Sequence, residues 1–243
     1  MRVGKKIIFS LISIIVALIA IFSVYIYVSV PIPSNSQNKI VQISFDDVYL
    51  CIKDLKDTLR YTSVFQQPFF KSLKELHDVY GAVFSLYVYE KADNFVIERS
   101  FLNVRKSILH WAGKSSLAPC LRLHYYFADD SMIAILKKYK VYHLLGADDE
   151  GRISYNLNRL QSDSLYARRA YIYDSIYYHK TDIRIERMEC FPLELLNYQN
   201  KDTITLFSHE WAMNGHRNIL NRIKLRQSIK WLAKNNYKFT FLE

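Results

Sequence analysis

Cysteine is scarce in this chain, and its count is odd. The 243 residues hold three, Cys51, Cys120 and Cys190. None has the spacing of a metal-binding cysteine cluster, and in an exported chain an odd count leaves at least one thiol unpaired. The reading that fits them is small buried hydrophobes. No base stands beside any of them in sequence, so nothing marks a cysteine nucleophile. Internal repeats and low-complexity tracts are also missing. Acidic residues are in deficit, 23 against 33 Lys and Arg, for a formal net charge of +10. No nucleic-acid-binding motif accompanies that charge, so no nucleic-acid partner is expected. Much of the charge decorates a helix expected over 216–234. There Ile219, Leu220, Ile223, Ile229 and Leu232 are interleaved with Arg217, Arg222, Lys224, Arg226 and Lys230. A basic outer face of this kind is a solvated surface.

The first thirty residues carry a different pattern. Arg2, Lys5 and Lys6 precede an apolar stretch from Ile7 to Val30 that has no charge. About 20 apolar residues cross a bilayer as a helix. A cleavable secretory signal has a shorter core, and here the run continues past Ala17 and Ala20 through Ile21, Phe22, Val24 and Tyr25. No Leu-x-x-Cys lipidation site follows. Residues 1–30 therefore read as a cytoplasmic stub and transmembrane signal anchor, with Tyr25 and Tyr27 at the interface. The positive-inside rule places the rest of the chain outside the cytoplasm, on the cell membrane. Pro31 to Asn38 reads as a linker. Residues 39–243 suit one domain, and half of the chain is apolar, enough for a core.

Within that domain, Ile40 to Phe45 is a β-branched and aromatic run that ends in Asp46 and Asp47. Strand C-terminal ends are where α/β folds collect reactive groups. Adjacent carboxylates suit a division of labour in which one binds a divalent ion and the other takes a proton from water. As a local signal they also suit a turn or a helix N-cap. Near the C-terminus, Thr203 to Trp211 repeats the design and delivers His209 to the end of a second apolar run.

The pair "ISFDD" and "TLFSHEW" resembles the polysaccharide deacetylase (NodB-like) family over roughly residues 39–243. The segments Leu76–Glu90, Leu121–Asp130, Val141–Glu150 and Lys180–Glu186 resemble the family's intermediate strands in order. The resemblance implies that Asp46 is the general base, Asp47 a metal ligand and His209 the general acid that protonates the leaving amine. Arg122, His124 and Trp211 would bind or orient the substrate and the carboxylates. It further implies a divalent metal, zinc, an acetylated polysaccharide as partner, and a distorted (β/α) barrel of seven strands. The family's His-x-x-x-His metal motif does not occur here. Between Glu90 and Arg122 the one histidine is His110, so His110 or His124 would have to replace the missing ligands, and the barrel is expected to be incomplete.

Strands are expected near 40–45, 82–89, 121–127, 141–145, 181–185, 203–207 and 238–242. Helices are expected near 68–80, 100–112, 130–139, 158–167 and 216–234. That alternation implies parallel strands with crossover helices. Arg122 and His124, two apart, would share one strand face. Arg168 to His179 reads as a strand with alternating aromatics, or as a surface that stacks on sugar rings. Two functions fit these observations: a membrane-anchored metal-dependent deacetylase of an envelope or extracellular glycan, or a catalytically degenerate glycan-binding protein with the same surface.

Overall fold

The computed structural model describes residues 10–22, 38–57, 60–87, 97–114, 117–214 and 218–242. Residues 10–22 form a helix, α1. The remaining parts of the apolar Ile7–Val30 stretch, including Tyr25 and Tyr27, and most of the 31–38 linker lie outside the described residues. No helix among the described residues is long and apolar enough to cross a membrane.

The rest is a mixed α/β fold with two sheets. The first is built on β1 (Ile40–Asp46), which pairs in parallel with β8 (Thr203–His209) along its whole length, from Ile40 opposite Thr203 to Asp46 opposite His209. On the far side, β1 pairs with β2 (Phe84–Leu86) over its C-terminal half and with β9 (Lys238–Phe239) at its start. Beyond β8 lies β7 (Ile183–Arg184). The second sheet runs β3 (Cys120–Leu121), β4 (His143–Leu145), β6 (Ile176–His179) and β5 (Ala170–Tyr173), with only β5 antiparallel. The strands thus fall into two sheets, and the described residues form no closed barrel.

Side chains and a shared chain segment join the sheets. β6 runs on through residues 180–182 into β7, so one extended segment belongs first to one sheet and then to the other. Thr181 Oγ1 donates to Gly146 O at 2.6 Å, and the Asp182 amide donates to Thr205 O at 3.0 Å. At the other seam, Tyr87 OH donates to Cys120 O at 3.0 Å.

Local sequence explains the helices that cover the sheets. α2 (Tyr49–Asp57) starts two residues after Asp47, with buried Val48 between them. α3 (Pro68–Tyr80) begins with proline in its first turn, where no amide partner is needed. Gln67 caps it by accepting from the Phe69 and Phe70 amides, and Gly81 ends it at φ 69°. α4 (Ile97–Ala112) carries the expected 100–112 helix. α5 (Asp130–Lys138) is capped by Asp129, which accepts from the Met132 amide at 2.8 Å. α6 (Arg159–Arg168) starts with an Asn158–Gln161 capping box. α7 (Ile219–Lys234) is the expected basic helix, but its faces differ from the expectation: Ile219, Leu220 and Ile223 are exposed, and Lys224 is buried and donates to Met188 O. Phe69, Phe70, Leu73 and Leu76 of α3 and Leu225, Ile229 and Leu232 of α7 pack on Val41, Ile43 and Phe45 of β1 in one core. Ile133, Leu136 and Leu165 cover the second sheet in another.

Three expectations need correction. The 121–127 strand stops at Leu121, because Tyr125 and Tyr126 adopt left-handed backbone at φ 54° and 56° and turn residues His124–Tyr126 into a 3-10 turn. The 168–179 strand is a hairpin whose two-residue turn, Asp174-Ser175, has φ of 47° and 61°, matching the twist of tight hairpins. Cys51 and Cys120 are buried as expected, but Cys190 is exposed.

The seam yields a prediction. Thr181→Val keeps the shape but leaves the Gly146 carbonyl and one Arg122 N–H without their hydroxyl partner. Buried groups stripped of a hydrogen bond cost about 1–3 kcal/mol. Chemical denaturation of the full chain is expected to show a loss of about 2 kcal/mol, and an unchanged midpoint would contradict the seam.

Candidate active site

All the expected catalytic groups except His124 gather where parallel strands end. Asp46 closes β1 and His209 closes β8, and the two are register partners. Behind each stands a group of opposite charge. Arg122, the residue after β3, has its side chain 2% exposed and reaches Asp46 Oδ1 from Nη1 at 3.5 Å. Its Nη2 donates to Thr181 Oγ1 at 2.8 Å, and its guanidinium carbon lies 4.0 Å from the centre of the Phe207 ring. Nε of the same guanidinium is buried without a partner. Burial raises the Asp46 carboxyl above its ordinary range. Arg122 and His209 pull it back down, and neighbouring Asp47 pushes it further up.

His209 is held from the other side. Its Nδ1 lies 2.5 Å from Glu186 Oε1. Glu186 also accepts from Ser208 Oγ at 2.7 Å and from Arg184 Nε at 2.8 Å. Burial alone would raise this carboxyl, but the bonds from His209, Ser208 and Arg184 outweigh it and hold the pKa at about 2. An ionised carboxylate only accepts, so Nδ1 carries the hydrogen and Nε2 is left to exchange a proton. Arg184 Nη2 also approaches Nδ1, at 3.4 Å; the shorter carboxylate contact fixes the tautomer. Trp211 stacks on the imidazole with centroids 5.0 Å apart and is half exposed.

Sequence reasoning missed Glu186. It sits at the end of the "KTDIRIE" segment, and the one signal for it was a charge closing a strand-like run. It also missed Glu210, which is buried and accepts from Cys51 Sγ at 2.7 Å. Burial raises the Glu210 carboxyl, the Cys51 bond lowers it, and Asp47 raises it again. Burial likewise pushes the Cys51 thiol up, so it stays a neutral donor.

Asp47 and His124 sit in irregular backbone, not on strands. Asp47 lies in left-handed backbone at φ 61°, at the sharp turn from β1 into α2. His124 does not share a strand face with Arg122. It is exposed in the 3-10 turn, its ring 4.1 Å from that of Tyr125. His110 is on α4. Among the described residues no group of three or more His, Cys, Asp or Glu could hold a metal ion. A catalytic zinc takes about three protein ligands, and the described donors around Asp47, with Asp46 against Arg122 and Glu210 accepting from Cys51, do not supply three.

The clamp on His209 has a pH signature. The folded pKa of Glu186 lies below the ordinary 4.5, so its ionised form stabilises the fold above about pH 4.5. That contribution is lost as pH falls toward about 2. Glu186→Gln is expected to flatten this acid limb in a denaturation series against pH, while stability at neutral pH falls. An acid limb identical to that of the unmodified chain would show that Glu186 is not ionised against His209. The chain matches no protein-family model, no curated protein and no solved structure.

Proposed function

We propose that this chain is a polysaccharide-deacetylase-like hydrolase that removes acetyl groups from an envelope or extracellular glycan, held at the cell membrane by its N-terminal apolar segment. One observation carries the reading. Asp46 and His209 end neighbouring parallel strands as register partners, and each is backed by a charged residue, Asp46 by buried Arg122 and His209 by partly buried Glu186. Such a pair has a base and an acid within one substrate's width. The order of strands also supports a barrel opened at two seams. Read around, β1–β2, β3–β4–β6 and β7–β8–β1 follow one another, with Tyr87 and Thr181 bonding across the gaps.

The roles follow from the environments. Asp46, raised by burial, is a carboxylate strong enough as a base to take a proton from an attacking water. His209, oriented through Nδ1 by ionised Glu186, gives a proton from Nε2 to the departing amine or alcohol. Water attacks the acetyl carbon, the bond to the sugar nitrogen or oxygen breaks, and acetate leaves. Trp211 offers an exposed ring face beside the imidazole for a sugar ring. The zinc that the resemblance implies has Asp47 as its proposed ligand, and no step here is assigned to it.

The missing His-x-x-x-His motif favours a second reading, a domain that binds acetylated glycan without turnover. One experiment separates the two. Full-length chain in detergent is given N-acetylated chitooligosaccharides and O-acetylated xylan, with and without added zinc, and released acetate is measured alongside binding. The hydrolase releases acetate, and Asp46→Asn lowers the rate about 10²–10⁴-fold with the fold intact. Full activity in Asp46→Asn removes this assignment. Binding that is lost in Trp211→Ala, without acetate release, establishes the second reading.

A further inference from the structure

Opposite the strand ends that carry Asp46 and His209 lies a surface with a different composition. The chain enters the domain there, at Lys39 and Ile40. Ile40 packs against Cys120 and Leu145 of the second sheet. From Cys120 one register row runs outward through His143 and Tyr177 to Ile172 on the edge strand β5. Neighbouring strands are about 4.8 Å apart, so this row spans about 14 Å from the entry point. Its outer part is an exposed apolar and aromatic patch of Tyr142, Ile172, Tyr173 and Tyr177. The Tyr177 amide bonds Tyr142 O, and the Tyr177 ring stacks on His143 at 5.0 Å, so the patch is held in place.

Cations border it. Lys140, exposed, stands two residues before Tyr142, and exposed Lys238 flanks the chain entry. Lys137 reaches the hairpin turn at Asp174, 2.8 Å away. Tyrosine rings with lysines around them are the composition that settles at a bilayer interface, where rings sit among headgroups and lysines meet anionic phosphates. The segment from Pro31 to Asn38 is short, and an extended residue spans at most about 3.6 Å. A domain tethered so closely keeps its entry side near the bilayer.

We propose that this surface, centred on Lys140, Tyr142, Ile172 and Tyr177, rests on an anionic phospholipid membrane, so that the Asp46–His209 site faces away from the bilayer toward the glycan. The inference rests on reading the N-terminal segment as an anchor, and its test separates the two. Cys190→Ser removes the exposed thiol, and a fluorophore is attached at Ser175→Cys in the hairpin turn or at Ser131→Cys at the opposite end of the second sheet. The full chain is placed in nanodiscs of phosphatidylcholine, with or without phosphatidylglycerol, that carry a headgroup quencher. Quenching is expected to be several-fold stronger at position 175 than at 131 in the anionic discs, and the excess is lost on Lys140→Glu with Tyr142→Ser. Equal quenching, or more at 131, overturns the proposal. So does cross-linking of two chains through position 175 that does not depend on lipid, which would make the patch an interface between copies. If alkaline carbonate strips the chain from the discs, the anchor reading fails alone. Sedimentation with phosphatidylglycerol vesicles then decides: binding weakened about tenfold by Lys140→Glu upholds the surface, and no binding overturns it.

Discussion

The buried guanidinium of Arg122 is the constraint on which the site depends. An unpaired cation at that depth is prohibitively unfavourable, and a paired one is tolerated only when its remaining hydrogens are also placed. Arg122 meets that demand with three surroundings at once: the Asp46 carboxylate, the Thr181 hydroxyl and the face of Phe207. These belong to the end of β1, the segment where β6 passes into β7, and β8. Satisfying one side chain therefore draws both sheets together. Thr181 passes the constraint on, since it accepts from Arg122 and donates to Gly146 beside β4. The arrangement is not fully satisfied, because Nε has no partner. A group left short in this way is more often found at a reactive centre than in a plain core.

Two carboxylates near one imidazole are pushed in opposite directions. Asp46 is raised because burial outweighs its distant, 3.5 Å contact with Arg122. Glu186 is lowered because three short hydrogen bonds outweigh its burial. The separation assigns work to each. Glu186 stays ionised and orients His209 without exchanging protons, whereas Asp46 has the higher proton affinity a base requires. Under the proposed reading, the group that exchanges a proton and the group that holds the imidazole are thus distinguished by hydrogen-bond count, not by residue type.

How much of this was legible in the sequence depended on whether a feature was local. β1 and β8 were readable because β-branched runs end in charged residues, and their pairing placed Asp46 opposite His209 as the motifs implied. α5 and α6 were readable from capping residues and apolar spacing. Arg122 was named from the resemblance, but the strand face it was expected to share with His124 does not form, since two consecutive tyrosines at positive φ break the alternation that sequence spacing assumes. Positive φ costs such residues on the order of 1–2 kcal/mol each, which no propensity would forecast. Glu186 was invisible for a topological reason. It reaches His209 because β7 lies beside β8, a pairing that follows from residues 180–182 crossing between sheets. The division into two sheets falls at the same place, where residues 180–182 pass from one sheet to the other.

β1 shows how one strand separates stability from chemistry. Its outward residues, Val41, Ile43 and Phe45, are fully buried against α3 and α7. Its other face presents polar Gln42 and Ser44, both buried, and Asp46, partly exposed at the strand end. Gln42 donates to Ser85 and Tyr87 and accepts from the Leu242 amide, so it joins three segments without any apolar packing. Ser44, beneath Asp46, has no partner for its hydroxyl. An interior chosen for packing would hold β-branched residues at these positions, since each unsatisfied polar group costs about 1–3 kcal/mol. The helix-facing layer carries enough apolar burial to tolerate that cost. The inward column is therefore free to be polar, and its polarity increases toward the strand end, where the aspartate meets the arginine.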